Sequence, residues 1–199
     1  MLGSNCNQST IMKLAIFVSG SGSLLPGFFK VEKESSDFTI ECVVANRQCG
    51  GVELAQAAGK EVLVVNQFDE QLLNYLADHM VDTICLAGFL QILPANFVKN
   101  FPGKIYNTHP ALLPAFGGKG MYGAKVHQAV AEAGAQETGF TVHEVTENID
   151  EGPIVFQKTV PILPTDDWKT IEINVKNIEK DFYPLVIKGL GEGKIMQTP

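Results

Sequence analysis

Asn107-Thr108-His109-Pro110 is the segment of this chain best equipped for chemistry. Asn107 and His109 stand two apart, so on an extended segment both side chains leave the same side. A carboxamide donates a hydrogen bond to a developing oxyanion, and an imidazole beside it moves protons near neutral pH. Pro110 and Leu112-Leu113-Pro114 stiffen the segment that would carry the pair. The plain alternative is a histidine satisfied in a strand-end turn. Asp150-Glu151-Gly152-Pro153 adds a carboxylate that would favour a charged His109 if folding joins them. Taken alone, an acid before Gly-Pro reads as a turn residue.

A second cluster is made for anions. Ser19-Gly20-Ser21-Gly22-Ser23 lies between an apolar run and a helical pattern, and free N–H groups at a helix N-terminus bind phosphate. The full dinucleotide fingerprint is absent, because its third glycine would fall at Leu25 and its ribose-binding acid at Asn46. A monophosphate fits better, Arg47 leaves an NADP site open, and a tight turn without ligand is the structural alternative. Gly117-Gly118-Lys119-Gly120-Met121-Tyr122-Gly123 reads as a lid or hinge; no strand leads into it as a phosphate-binding loop would require. Lys176 and Glu179, three apart on a helical stretch, read on their own as a solvated charge pair. His143 reads as a strand residue, His127 and His79 as solvated helix residues, and Trp168 as a packing aromatic.

These residues need a frame. Short apolar runs at 13–19, 39–45, 61–65, 82–87 and 104–107 predict strands. Helical patterns at 23–32, 51–58, 69–80 and from 94 to about 100 fall between them, with Asp69 as an N-cap and Gly59 just past a helix end. That alternation predicts an α/β fold, Rossmann-like, with a mostly parallel sheet and helices on both faces. Residues 126–133 predict a helix and 138–145 with 154–160 an antiparallel strand pair. A final helix covers 168–188 with a kink or break at Pro184. Ligands in open α/β sheets bind beyond the carboxyl ends of the strands, which is where the loops at 20–23, 87–93, 107–114 and 146–153 lie.

Composition closes off several classes. The chain has 199 residues, 45% hydrophobic and 19% charged, with a formal net charge of −7, which is ordinary for one globular domain. Its 15 Lys and Arg are scattered, so the basic stripe of a nucleic-acid binder is missing. Four cysteines form no CxxC pair and four histidines no HxxxH pair, which argues against a zinc site. Cys85 reads as a buried thiol, and reduced thiols suit a cytoplasmic protein. Membrane association is not expected, since no apolar stretch approaches about 20 residues and residues 1–11 lack a signal-peptide pattern. Residues 1–11 are expected to be a disordered tail and 12–199 a single domain.

A G-x-G-S turn after the first strand, LAGF ending the fourth, N-x-H-P-x-L-L-P after the fifth and D-x-G-P before the last strand occur here in that order. This sequence resembles the folate-dependent formyltransferase family over roughly residues 12–191, most of all its branch acting on glycinamide ribonucleotide in purine biosynthesis. The resemblance implies Asn107, His109 and Asp150 as catalytic residues. It implies contacts to the nucleotide substrate from Gly20, Ser21, Gly22, Ser23, Ala87, Gly88, Lys176 and Glu179. It implies a folate pocket formed by Leu86, Leu90, Gln91, Ile92, Leu93 and Val98, closed by Glu144, Val145, Thr146 and Glu147. The co-substrate would be 10-formyltetrahydrofolate, with no metal, no nucleic acid and no membrane, in a monomer or homodimer. Leu24, Gln91 and Ala115 depart from the family, which often has Asn, a basic residue and Lys at those positions.

The mechanism this implies is direct acyl transfer, with Asn107 and a protonated His109 on the oxyanion and Asp150 keeping His109 charged. Three alternatives remain at this level: a formyltransferase acting on another small amine such as a sugar nucleotide, an NADP-dependent oxidoreductase, and a non-catalytic folate- or nucleotide-binding protein.

Overall fold

Strand β1 (Met12–Val18) is the hinge of the sheet. The chain builds outward from it to β2 (Phe38–Ala45) and β3 (Val62–Val64), then returns and builds the other way through β4 (Thr83–Leu86) and β5 (Lys104–His109). All of these pairs are parallel. Strands β6 (Glu137–Glu144) and β7 (Ile154–Pro161) then add antiparallel, giving a seven-stranded sheet in the order β3-β2-β1-β4-β5-β6-β7. The reversal of strand order between β1 and β4 opens a crevice at their carboxyl ends, the preferred ligand position in such sheets. The computed structural model describes residues 11–194; apart from Ile11, the expected tail lies outside the described residues.

Alternation along β1 assigns the two faces. Leu14, Ile16 and Val18 join the core beneath α1 (Leu25–Glu34), α2 (Gly50–Ala57), α5 (Ala124–Glu132) and α6 (Trp168–Gly191). Ala15 and Phe17 face α3 (Glu70–Asp78) and α4 (Ala95–Asn100), where Phe17, Phe68, Phe89 and Phe97 form an aromatic cluster. Buried on both faces, β1 reads as a continuous apolar run, as central parallel strands do. Cys85 is fully buried as expected. Asp69 caps α3 by accepting from the Gln71 and Leu72 amides. Among the described residues, no helix is long and apolar enough to cross a membrane.

The predicted elements match these within a few residues, with one correction. Helix α6 runs unbroken for 24 residues through Pro184. A proline there removes the N–H that the Lys180 carbonyl would accept and crowds it; the packing of α1 explains why the helix survives. Gly27 of α1 sits so close that a Cβ on it would lie 2.8 Å from the Lys180 carbonyl oxygen and 3.0 Å from Pro184 Cγ. The two helices therefore meet backbone to backbone at the proline notch. Tyr183 beside it bonds the Tyr106 carbonyl at 3.0 Å and stacks edge-on against Phe28, tying α6 to β5.

Gly27 is a poor helix residue by propensity, so Ala would stabilise an isolated α1 by about 1 kcal/mol. In the folded chain the clash dominates. Gly27→Ala is expected to lower the unfolding free energy by about 1–3 kcal/mol, read from urea denaturation; a variant as stable as the parent would show the contact to be slack.

Candidate active site

β5 ends by presenting Asn107 and His109 to one side and Thr108 to the other. The antiparallel return of β6 places His143 directly across from Asn107 and Thr141 across from His109. Thr141, fully buried, donates to the Ala111 carbonyl at 2.7 Å and accepts from the Leu113 amide at 3.0 Å. Gln157 of β7 donates to the Leu113 carbonyl. These bonds fix the chain leaving His109, a task sequence alone gave to the prolines.

The D-x-G-P segment is shaped by two constraints. Asp150 holds φ +58, a left-handed conformation in which Asp is enriched. Gly152 passes so close to β6 that a Cβ would fall 1.8 Å from the Glu144 carbonyl oxygen, so no other residue fits. The turn delivers the Asp150 carboxylate between two imidazoles. Its Oδ2 lies 3.5 Å from His109 Nδ1 and its Oδ1 3.6 Å from His143 Nε2. The Gly118 amide donates to Oδ2 at 2.9 Å. His109 Nε2 is 2.8 Å from the Phe116 carbonyl, so the glycine-rich segment is stitched to both His109 and Asp150.

The Asn107 carboxamide is oriented by His143. Its Nδ2 donates to His143 Nε2 at 3.1 Å, while His143 Nδ1 faces the Glu144 carbonyl at 3.1 Å. One arrangement satisfies both contacts: a neutral imidazole with its proton on Nδ1. Burial supports it by pushing the His143 ring below its usual pKa.

These groups stand on the wall of one cavity of about 370 Å³. Asn107, His109 and Asp150 are brought together there, with Gly20, Ser21, Gly22, Ser23, Ala87, Gly88, Lys176 and Glu179. Leu86, Leu90, Gln91, Ile92, Leu93, Val98, Val145, Thr146 and Glu147 complete the wall. Glu144 is not on it; its carboxylate turns to Lys104 Nζ at 2.7 Å. At the phosphate-type turn, Leu24 provides no side-chain cap to α1, the Leu25 amide is spent on the Gly22 carbonyl at 2.9 Å, and Pro26 has no N–H, so an anion there depends on the amides of the turn itself. Ser19 Oγ accepts from the Leu90 amide at 2.9 Å and locks the β1 and β4 ends together.

Several expectations need correction. His127 is not solvated: it is 1% exposed, lines the cavity, and its Nδ1 has no partner among the described residues. The stripe Val126, Val130 around it already marks a buried helix face. His143 is a member of the site, a fact hidden until the β5–β6 register is known. His79 is half-buried, stacked on Tyr75 with ring centroids 4.1 Å apart. Lys176 and Glu179 are not a pair. Lys176 binds Glu172 at 2.6 Å, and the Glu179 carboxylate accepts from Thr108 Oγ1 at 2.9 Å. Finally, burial works against the charge expected on His109. Desolvation outweighs the pull of Asp150 and the Phe116 carbonyl and holds the ring below its usual pKa.

The buried imidazoles bear on the acid stability of the fold. His109 and His143 are lowered from 6.5, and His127 falls to about 4, each chiefly by burial. Their contribution is fully present above the unfolded value of 6.5 and is lost as pH falls through the folded values. Glu179, raised by burial to about 7, works in the opposite direction, one carboxyl against three imidazoles. The melting temperature is therefore expected to drop between pH 6.5 and 4. His127→Asn is expected to make that drop shallower; an unchanged profile would show that His127 does not carry it.

Comparison with known proteins places the chain in a family. A formyl transferase family profile matches residues 12–187. A chloroplastic phosphoribosylglycinamide formyltransferase of Arabidopsis thaliana is 39% identical over 197 residues, covering 92% of this chain and 66% of the relative. The phosphoribosylglycinamide formyltransferase of Haemophilus influenzae is 37% identical over 194 residues, covering 92% of this chain and 89% of the relative. The chain spans 66% and 62% of the length of two plant relatives, and 19% of a trifunctional purine biosynthetic protein of Gallus gallus. The crystal structure of phosphoribosylglycinamide formyltransferase from Anaplasma phagocytophilum superposes with a TM-score of 0.85 at 33% identity, covering 94% of this chain and 90% of that one. With its fold shared and the family match running from the first strand nearly to the end of α6, the chain belongs to the formyl transferase family.

Proposed function

We propose that this chain transfers the formyl group of 10-formyltetrahydrofolate to the amine of glycinamide ribonucleotide. The observation that carries the reading is the meeting of Asn107, His109 and Asp150 on the wall of one cavity with both polar and apolar lining. Its polar lining, the turn at 20–23, Lys176 and Glu179, suits a phosphorylated sugar. Its apolar lining, Leu86, Phe89, Leu90, Ile92, Leu93, Val98 and Val145, suits a flat heterocycle. Arg47 favours this over an NADP site: its Nε is spent on the Ser19 carbonyl at 2.9 Å, and it is not on the cavity wall.

The amine nitrogen attacks the formyl carbon, forming a C–N bond as the carbonyl electrons move to oxygen. Asn107, its carboxamide fixed by His143, donates an N–H to that oxyanion. A neutral His109 is free to take up the proton that the attacking amine sheds. Its two neighbours, the Phe116 carbonyl and Asp150, are both acceptors, so the imidazolium is stabilised once formed. The bond from the formyl carbon to the folate nitrogen breaks as that nitrogen receives the proton. His109 thus acts first as base and then as acid, and Asp150 stabilises the charged state between those steps.

Loss of one oxyanion donor costs about 10²–10³ in rate, and loss of a general acid–base about 10²–10⁴. Asn107→Ala and His109→Ala are expected to lower kcat by the first and the second factor respectively, followed by tetrahydrofolate release with glycinamide ribonucleotide as acceptor, with circular dichroism unchanged. Near-parental turnover in either would refute the mechanism, and parental turnover only with a different amine would reassign the acceptor. His143→Ala frees the Asn107 carboxamide and is expected to lower kcat with little change in either KM; a selective rise in one KM would instead make His143 a binding residue.

A further inference from the structure

Both proposed substrates are anions, and this chain meets them with a formal charge of −7. Cationic side chains at the cavity are therefore scarce and informative. Two lysines stand on its wall, Lys119 and Lys176. Lys176 is already neutralised by Glu172 at 2.6 Å. The single arginine, Arg47, is bound to the Ser19 carbonyl. Lys125, the next ammonium after Lys119, lies over the Tyr122 ring at 4.7 Å from its centroid. Among the described residues, Lys119 alone faces the cavity without a carboxylate, a hydrogen-bond acceptor or a ring against its ammonium.

Its backbone setting ties it to the reacting centre. The residue before it, Gly118, donates its amide to Asp150, and Phe116 offers its carbonyl to His109. Past that anchor the segment is open: at Gly118, Gly120 and Gly123, where φ is +92, +91 and +56, a Cβ would meet no atom within 4 Å. A lysine that follows directly on the Asp150-bound Gly118 amide, in a segment unobstructed beyond it, can swing its ammonium over a bound substrate.

Resting on the formyl-transfer reading above, we infer that Lys119 is a substrate-binding residue that pairs with an anionic oxygen group, either the phosphate of the acceptor or a carboxylate of the folate. Because its neighbours bond Asp150 and His109, occupancy at Lys119 also holds the glycine-rich segment closed over the catalytic group.

Calorimetric titration of the full chain with glycinamide ribonucleotide alone and with 10-formyltetrahydrofolate alone tests this, comparing the parent with Lys119→Gln and Lys119→Arg. A charge-assisted bond of about 1.5 kcal/mol corresponds to about tenfold in affinity. Lys119→Gln is expected to weaken one ligand by about that factor, with a flatter salt dependence, while Lys119→Arg stays within about twofold of the parent. Weakening of the ribonucleotide assigns the phosphate; weakening of the folate assigns a carboxylate. Unchanged affinity for both ligands, or equal losses in the two variants, overturns the inference. A parent that transfers formyl while Lys119→Gln binds both ligands normally would sink this inference alone; a parent that binds neither ligand sinks the functional reading with it.

Discussion

The Asp150 carboxylate, held between two buried imidazoles and the Gly118 amide, is the interaction on which the site depends. A carboxylate only 11% exposed needs hydrogen-bond donors or it becomes costly. The backbone provides the closest one, from a segment that is otherwise free of the sheet. That bond joins the turn before β7 to the glycine-rich segment after β5, and the Phe116 carbonyl of the same segment meets His109. The left-handed backbone at Asp150 and the missing side chain at Gly152 are the local cost of that placement.

The antiparallel half of the sheet explains why this fold supplies such a site. A wholly parallel sheet would put one strand end at the crevice and little to orient it. Here β6 runs back along β5, so His143 and Thr141 face Asn107 and His109 in register. Asn107 thereby gains a neighbour that orients its carboxamide and His109 one that fixes its outgoing chain, the kind of support a reacting group needs. On the far side, Thr108 and Tyr106 connect the same strand to Glu179 and Tyr183 of α6. The unbroken helix through Pro184 extends that connection into the core, and Gly27 makes it close enough to matter.

Periodicity made the frame legible, because each strand and helix depends mainly on its own residues. The N-x-H spacing was legible for the same reason: two side chains on one side of a strand need no tertiary information. Register was not. His143 looked like any strand residue until the pairing of Asn107 with it was known, and His127 looked solvated until α5 was packed against α6. Glu144 was misplaced by one step of strand alternation, which turns its carboxylate to Lys104 instead of the cavity. The protonation state of His109 escaped for a different reason. A nearby carboxylate argues for charge, burial argues against it, and only the folded surroundings show that desolvation is the larger effect.

That balance bears on how an acidic protein handles anionic ligands. A permanently charged His109 would attract them, but it could not accept a proton from an attacking amine. A neutral one leaves attraction to backbone amides at the turn 20–23 and to ammonium groups at close range. Long-range steering by a basic surface is absent at a net charge of −7, and interactions beyond about 8–10 Å are screened at physiological salt in any case. Recognition therefore has to be local and geometric. In the proposed reaction His109 is thereby freed from binding anions and kept for moving protons.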